Sequence, residues 1–185
     1  RCISCLLEDV PLGARVLDLP CGTGRMTGRL LEAGYEVTAA DSSPHMLQQV
    51  RNSFALEMLT GQPALHLSCC DVTQTPFANG AFDAVLCNRL FHHFVEAETR
   101  QAALSELARI CQGPIVLSYF RNFGIDAIRF HLKHVVRGTV PHDRIPISMR
   151  SLQHDISLAG LKVVDTLPTR WGISPQWYVN LVRRS

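Results

Sequence analysis

The sequence predicts an α/β fold in which five parallel strands are followed by an antiparallel hairpin, with helices on both faces of the sheet. Short apolar segments alternate with segments of helical periodicity as far as Tyr119, and such alternation produces right-handed βαβ units. Several of the apolar segments are continuous, as in strands that are covered on both faces. The connection at residues 168–175 has no room for a crossover helix, so the last two strands should run antiparallel.

The individual elements follow from apolar runs and from helix start and stop signals. Strands are predicted at residues 15–19, 35–40, 65–69, 82–87, 115–119, 161–167 and 176–182. Helices are predicted at residues 26–33, from Pro44 onward, and at 96–111, 125–136 and 148–160. Gly34 takes the usual stop position after the first helix, Ser42 or Ser43 can cap the second, and Ser148 can cap the last.

Composition limits the class of protein. The 185 residues suggest one domain over residues 1–185, although Arg1 in the first position leaves open whether N-terminal residues are missing. The net charge of +2 is too small to indicate nucleic acid by itself, and no apolar run reaches the roughly 18 residues of a membrane span. Between residues 121 and 154, six Lys and Arg stand against two Asp. This stretch is either an anion-attracting rim or a solvated face.

Cysteine usage indicates the redox compartment. Seven cysteines, an odd number, in a chain large enough to fold without disulfides predict a reducing, cytoplasmic location. Cys2 and Cys5 form a lone pair with no second pair at zinc spacing, so no metal site is predicted. The adjacent Cys69 and Cys70 are expected at the buried end of a strand.

The most informative segment joins the first strand to the first helix, at residues 16–25. An apolar strand ends there at Asp18, and the glycines of Gly22-Thr23-Gly24 allow a tight turn and the close approach of a ligand. The carboxylate would repel a pyrophosphate and attract an ammonium or sulfonium group. This favours S-adenosylmethionine over NAD or ATP. The alternative is that Asp18 only caps the following helix.

This loop resembles motif I of the class I S-adenosylmethionine-dependent methyltransferases, and further pieces in the same order extend the resemblance over nearly the whole chain. The resemblance implies a Rossmann-like sheet of seven strands with S-adenosylmethionine as cofactor. It implies that Asp41 binds the ribose hydroxyls and that Asp71 and Val72 bind adenine. It also implies that Met46 packs on the adenosine and that Asn88 lies beside the methionine part. The expected cofactor residues are Asp18, Pro20, Cys21, Gly22, Gly24, Asp41, Ser42, Met46, Asp71, Val72 and Asn88.

Several of these residues also have a structural interpretation that the sequence leaves open. Asp41 can be an ordinary acid at a helix N-terminus, Asp71 a turn former and Met46 core packing. Asp83 is expected to pair at the start of its strand rather than touch a ligand. Pro20 departs from the family, which usually has Gly there. Because proline fixes φ and removes an N–H, Pro20 cannot donate a hydrogen bond to the ligand carboxylate, and a weaker affinity for the cofactor is expected.

The residues after the fourth strand concern the methyl acceptor. The run from Asn88 to Phe91 does not resemble enzymes that methylate the amino groups of adenine or cytosine. Continued to Phe94, it is similar to the branch that methylates small molecules, including quinone and sterol methyltransferases. In this run His92 and His93 are the candidate general bases, because imidazole titrates near neutral pH. Their alternative role is to cap or pack the following helix.

The fifth strand ends with two further candidates on the acceptor side. Tyr119 is a possible acceptor contact or a buried strand residue, and Arg121 would either bind an acidic acceptor or remain solvated. The expected partner is therefore a small molecule, anionic if Arg121 binds it, while nucleic acid is not expected.

Other functions stay open on the sequence alone. A non-catalytic module with this fold, acting as a partner subunit or cofactor sensor, is supported by Pro20 and by the lack of a marked base. An RNA methyltransferase is supported only by the basic stretch. A nicotinamide-linked oxidoreductase is disfavoured, because residues 22–28 are one residue too long for Gly-x-Gly-x-x-Gly.

Overall fold

The computed structural model of the chain describes residues 7–61, 64–121, 147–169 and 176–184. The predicted helix at 125–136 and the pair Cys2 and Cys5 lie outside these residues, as does most of the basic stretch.

A mixed seven-stranded sheet forms the centre of the molecule. Its strands are β1 (Arg15–Asp18), β2 (Glu36–Asp41), β3 (Leu65–Cys69), β4 (Ala84–Cys87), β5 (Ile115–Phe120), β6 (Leu161–Pro168) and β7 (Gln176–Arg183). Their spatial order is β3-β2-β1-β4-β5-β7-β6. The first five strands pair in parallel, and β7 pairs antiparallel with both β5 and β6. The predicted parallel sheet with a C-terminal antiparallel hairpin is confirmed.

The described helices, except the one at Ala55–Thr60, follow the predicted signals. They are α1 (Arg25–Glu32), α2 (Pro44–Ser53), α3 (Ala55–Thr60), α4 (Ala97–Ile110) and α5 (Met149–Leu158), with a 3-10 turn at Phe91–His93. Ser43, not Ser42, caps α2 by accepting a hydrogen bond from the Met46 amide at 3.5 Å. Ser148 caps α5 by accepting one from the Ser151 amide at 3.0 Å.

Hydrophobic side chains form one cluster on each face of the sheet. Val16 belongs to the cluster beside α1 and α2, whereas its neighbour Leu17 belongs to the cluster beside α4 and α5. Leu86 and Cys87 of β4 alternate in the same way. Successive residues of a strand point to opposite faces, so covering both faces makes these strands continuously apolar.

Two predictions about the strands are wrong in detail. The strand predicted at 82–87 begins at Ala84, and Phe82 makes a single bridge to Cys111. Cys69 is exposed and Cys70 half-buried, because they end the outermost strand, β3, which has a neighbour on one side only.

The fold positions a ligand site at one edge of the sheet. The carboxyl ends of β1, β2 and β4 meet there, because these strands are parallel and adjacent. Ligands of open α/β sheets bind at this edge. Within the described part of the chain, no helix is both long and apolar enough to cross a membrane.

Candidate active site

A cavity of about 650 Å³, called the crevice below, opens at the carboxyl ends of β1, β2 and β4. Its volume lies in the range of small-molecule sites, roughly 300–1,000 Å³. Its walls come from the loop between β1 and α1 (residues 19–24, the glycine loop), the starts of α1 and α2, the end of β2 and the segment after β4. The lining residues are Pro20, Cys21, Gly22, Thr23, Arg25, Met26, Asp41, Ser43, Met46, Asn88, Arg89, His92 and His93.

Two glycines shape the glycine loop. Gly22 has a φ of +54° and Gly24 a φ of +83°, in the left-handed region that favours glycine. A Cβ added at Gly24 would lie 2.8 Å from Cε2 of Phe54, so this position also requires the missing side chain. Gly24 therefore lets α1 approach the end of α2, while Gly22 lies on the wall of the crevice.

Asp41 connects the end of β2 to the glycine loop. Its Oδ2 accepts a hydrogen bond from the Gly22 amide at 2.9 Å, and its Oδ1 accepts one from the Ser43 amide at 2.9 Å. The side chain borders the crevice. Because each carboxylate oxygen has more than one acceptor position, Asp41 can hold the loop and still accept hydrogen bonds from ligand hydroxyls. The two interpretations of Asp41 are thus compatible.

Asp18 lies beneath the crevice and does not line it. It is fully buried, and its Oδ2 accepts a hydrogen bond from Thr27 Oγ1 in the first turn of α1 at 2.7 Å. Its Oδ1 is buried without a hydrogen-bond partner among the described residues. Burial raises the pKa of Asp18 to about 7, against the hydrogen bonds from Thr27. These contacts support the interpretation that Asp18 anchors the following helix, and its attraction for a cationic ligand stays a prediction.

Three other predicted cofactor residues, Pro20, Cys21 and Met46, line the crevice. Burial raises the pKa of the Cys21 thiol to about 12, so the thiol is a neutral part of the wall at physiological pH. Ser43 lines the crevice, whereas Ser42, the expected cofactor residue, is not among the lining residues. A contact of Ser42 with the cofactor stays a prediction.

The residues expected at adenine lie outside the crevice wall. Asp71 Oδ1 accepts hydrogen bonds from the Thr73 amide at 2.7 Å and from the Thr73 hydroxyl at 2.6 Å, which lowers the pKa of Asp71. Val72 is packed in the core cluster beside α4. The turn interpretation accounts for these contacts of Asp71, and a contact of either residue with adenine stays a prediction.

Asn88 joins the crevice to the far half of the sheet. Its Oδ1 accepts hydrogen bonds from three side chains on β5 and β7. They are Ser118 at 3.2 Å, Gln176 at 3.2 Å and Tyr178 at 3.0 Å. The end of β4 is therefore held in a fixed position beside the crevice.

His92 and His93 form most of the 3-10 turn and both line the crevice. His92 is 3% exposed, and its ring centroid lies 4.0 Å from that of His93 and 4.5 Å from that of Phe120. His93 is exposed. Packing therefore describes His92, whereas His93 is open to both solvent and the crevice.

The two candidates at the end of β5 do not line the crevice. Tyr119 is 2% exposed and donates a hydrogen bond to Met149 Sδ at 3.3 Å, which supports its interpretation as a buried strand residue. The Arg121 guanidinium lies 4.9 Å from the centroid of the Trp177 ring, a cation–π contact.

Among the lining residues that were not expected at the site are two arginines, Arg25 and Arg89. Arg25 is the first residue of α1. Arg89 has a φ of +62°, alone among the described non-glycine residues, and its amide donates a hydrogen bond to Ser118 Oγ at 2.7 Å. The left-handed conformation costs roughly 1–2 kcal/mol. The sequence signal for Arg25 is its position directly after the glycine loop, and the signal for Arg89 is its position directly after Asn88.

The chain is similar to known proteins. The family model described as a methyltransferase domain matches residues 16–113, which include the glycine loop, Asp41 and both histidines. The chain belongs to this family. It is a class I S-adenosylmethionine-dependent methyltransferase.

The methyltransferase is similar to enzymes with different acceptors. Glycine/sarcosine N-methyltransferase of Parasynechococcus marenigrum is 31% identical over 86% of this chain and 60% of the relative. Demethylmenaquinone methyltransferase of Clavibacter sepedonicus is 33% identical over 63% of this chain and 45% of the relative. The chain thus spans less than two thirds of the length of these relatives.

Structural similarity agrees with the family. The crystal structure of magnesium protoporphyrin IX methyltransferase from Synechocystis PCC 6803, with bound S-adenosylhomocysteine, matches with a TM-score of 0.78 at 20% identity. The match covers 99% of this chain and 80% of that chain. At this identity the likeness shows the fold.

The cofactor of this methyltransferase is S-adenosylmethionine, and the residues of the crevice suit its chemistry. A carboxylate at the end of β2 offers acceptors for hydroxyl groups, and a turn of glycines permits close approach of the backbone. Met46 adds an apolar surface, and Arg25 adds positive charge at the N-terminus of α1. Among the described residues, no cluster of three or more His, Cys, Asp or Glu could hold a metal ion.

Proposed function

We propose that this methyltransferase transfers a methyl group to an oxygen, nitrogen or carbon nucleophile of a small molecule, with residues 1–185 forming one catalytic domain. The observation that carries the proposal is the connection of Asp41 to the glycine loop across the crevice. It supports the proposal because Asp41 would offer an acceptor to a ribose beside a turn that would admit an amino-acid group. Bound S-adenosylmethionine supplies an electrophilic methyl group on its sulfonium.

The residues of the chain would hold the cofactor along the crevice. Asp41 would accept hydrogen bonds from the ribose hydroxyls, and Met46 would pack on the adenosine. Arg25 and the positive end of α1 would face the carboxylate of the amino-acid part. Asp18 would act indirectly, because its contact with Thr27 anchors the first turn of α1.

His93 is the proposed general base for an acceptor that must lose a proton. The imidazole would take the proton that the acceptor loses as the methyl group passes to it, and the bond from the methyl carbon to sulfur would break to leave a neutral thioether. His92 would position His93 through the contact between their rings. Alignment of the two reactants can remove roughly 7–11 kcal/mol of the barrier, and a base adds about 10²–10⁴-fold.

A small-molecule acceptor is supported by the size of the crevice and by the relatives. Two of them are named for glycine, sarcosine and demethylmenaquinone, which are small molecules.

The described cysteines Cys21, Cys69, Cys70, Cys87 and Cys111 form no disulfide. We therefore propose a reducing, cytoplasmic location.

Calorimetry with two ligands tests the assignment of the crevice. S-adenosylhomocysteine contains the whole cofactor except its methyl group, whereas methylthioadenosine lacks the amino-acid part. We expect Asp41→Ala to weaken both ligands by the same factor, about tenfold to a hundredfold, because a charge-assisted contact to the shared ribose is lost. Arg25→Gln should weaken S-adenosylhomocysteine by about tenfold and leave methylthioadenosine unchanged, because only the former has a carboxylate.

Arg51→Gln is the control, since Arg51 is exposed on α2 and does not line the crevice. It removes the same charge and should change neither affinity. Circular dichroism of each variant checks that the fold is kept. If wild-type protein gives no binding heat with millimolar S-adenosylhomocysteine, the assignment of the crevice is wrong.

A further inference from the structure

The crevice carries more positive charge than its cofactor can neutralise. Asp41 is the acidic residue among its lining residues, and its oxygens already accept hydrogen bonds from two backbone amides. Arg25 and Arg89 line the same space. Both are exposed, and neither forms an ion pair with a described residue. The crevice thus presents two guanidinium groups to its ligands.

S-adenosylmethionine can neutralise at most one of these groups. It carries a single carboxylate, and its ammonium and sulfonium groups are cations that an arginine repels. Arg25 begins α1 directly after the glycine loop, beside the positive end of the helix, and is the one placed for that carboxylate. The guanidinium of Arg89 is therefore left to bind a second anion.

Arg89 lies at the acceptor end of the crevice. It follows β4, which neighbours β1 on the side away from β2 and Asp41. Because Asp41 would hold the adenosine, the methyl group and its acceptor belong at the opposite end. The proposed base, His93, is on the same segment as Arg89, four residues later.

The backbone of Arg89 is held in a conformation that an arginine does not favour. Its φ is +62°, and its amide donates to Ser118 Oγ at 2.7 Å. That hydroxyl in turn donates to Asn88 Oδ1 at 3.2 Å. Glycine or asparagine would occupy this position with less strain. Strained residues of this kind gather at ligand sites, where the surrounding structure imposes the conformation.

We propose that Arg89 binds a carboxylate of the methyl acceptor and so selects small molecules that carry one. The inference rests on the proposed function, because it takes the glycine-loop end of the crevice to be filled by the cofactor. A single guanidinium matches a single carboxylate in charge and can bind it through two hydrogen bonds. Arg121, considered for this role from the sequence, lies on Trp177 instead.

Matched acids and esters test the proposal. The protein is loaded with S-adenosylhomocysteine and titrated by calorimetry with 4-hydroxyphenylacetate, 2-aminobenzoate and the methyl ester of each. We expect at least one acid to bind tenfold or more tighter than its ester, the effect of one charge-assisted contact of about 1.4 kcal/mol. Arg89→Gln and Arg89→Gly should both abolish this preference, and Arg89→Lys should keep part of it.

Controls separate the charge of Arg89 from its backbone and from the cofactor site. Arg89→Gly removes the guanidinium and also the strain, so a loss shared with Arg89→Gln is due to charge. Arg51→Gln should keep the preference of the wild type. The proposal is overturned if no acid is preferred over its ester by wild-type protein, or if Arg89→Gln keeps the preference. Failure of S-adenosylhomocysteine to bind at all would instead reject the function proposed for the crevice.

Discussion

His92 and His93 are neighbours in the chain, but their surroundings differ. His92 is 3% exposed and packs against Phe120, whereas His93 is exposed at the crevice. A general base must reach both the acceptor and a path by which its proton leaves. Of the two, His93 is the one that is exposed at the crevice. The 3-10 turn thus gives two adjacent imidazoles different surroundings, which supports packing for His92 and the proposed role of base for His93.

We expect His93→Gln to lower kcat for a hydroxyl acceptor by about 10²–10⁴-fold, because the proton then has no side chain to accept it. The affinity for S-adenosylhomocysteine should be unchanged. Labelled methyl transfer at saturating cofactor measures kcat, and calorimetry measures the affinity.

His92→Phe is the matched variant for this test. It keeps an aromatic ring against Phe120 and removes the imidazole, so it should cost far less activity. Equal losses in the two variants, or an unchanged kcat in His93→Gln, would contradict the assignment of His93.

At the scale of elements, one buried ion pair joins α4, α5 and the end of the 3-10 turn. Arg100 Nε donates to Asp155 Oδ2 at 2.7 Å, and Arg100 Nη1 donates to the carbonyl oxygens of Phe94 and Val95 at 3.2 and 2.9 Å. Gln101 Nε2 donates to Asp155 Oδ1 at 2.9 Å. Arg100 therefore fixes the residues that directly follow His93.

We expect Arg100→Met to lower the free energy of unfolding by about 3–5 kcal/mol, because it leaves Asp155 buried without its cation. The double variant Arg100→Met/Asp155→Leu should recover part of this loss, since two apolar side chains remove the unpaired charge. Urea denaturation of wild type, both single variants and the double variant gives the coupling energy.

The pair of Arg15 and Asp83 provides the comparison for this prediction. Its side chains are 48% and 37% exposed, and the two charges are 2.9 Å apart. Because solvent screens such a pair, Arg15→Met should cost only about 0–1 kcal/mol. Similar losses at Arg15 and Arg100 would mean that burial does not control the strength of the inner pair.

The elements that could be predicted from the sequence are those whose signal is local. Strands covered on both faces are apolar throughout, and Gly34 and Ser148 mark helix ends by their own chemistry. The helix α3 was not predicted, because it has only six residues and its apolar side chains Leu56 and Leu59 are exposed, so no buried face marks it. The pairing of Arg100 with Asp155 spans 55 residues and has no local signal.

At the scale of the whole molecule, the order of the strands explains how much of the site could be predicted. Residues at the ends of parallel strands meet at one edge, so Asp41 and Asn88 could be assigned to one site from their positions alone. Whether a side chain lines the crevice depends on packing that the sequence does not reveal. Asp18 is buried and bonded to Thr27 of α1, whereas Arg89 has a left-handed backbone conformation and lines the crevice.

The molecule also has a carboxyl group buried at its centre. Asp18 is fully buried, and burial raises its pKa to about 7. The pKa values of other carboxyl groups are shifted in the opposite direction. Hydrogen bonds from Arg109 lower the pKa of Glu106 to about 2, and hydrogen bonds from Arg15 lower the pKa of Asp83. The two kinds of group therefore affect stability in different pH ranges.

Between about pH 4 and pH 7, folded Asp18 holds a proton that the unfolded chain has released. Stability should therefore fall as pH rises through this range, by about 1.4 kcal/mol per pH unit and roughly 4 kcal/mol in all. Glu106 acts in the opposite sense: its contribution is present above its unfolded pKa and is lost as pH falls from about 4.5 toward 2.

Asp18→Asn isolates this effect, because asparagine does not titrate and its oxygen can still accept the hydrogen bond from Thr27. Urea unfolding of both proteins from about pH 5 to pH 8 should show a wild-type stability that falls relative to the variant up to about pH 7 and then levels off. The histidines are common to both proteins and cancel in the difference. Parallel profiles would mean that Asp18 is ionised in the folded protein throughout.

Since a bound ammonium group near the glycine loop would favour that ionised form, S-adenosylhomocysteine should flatten the wild-type profile and leave the variant's profile unchanged in slope.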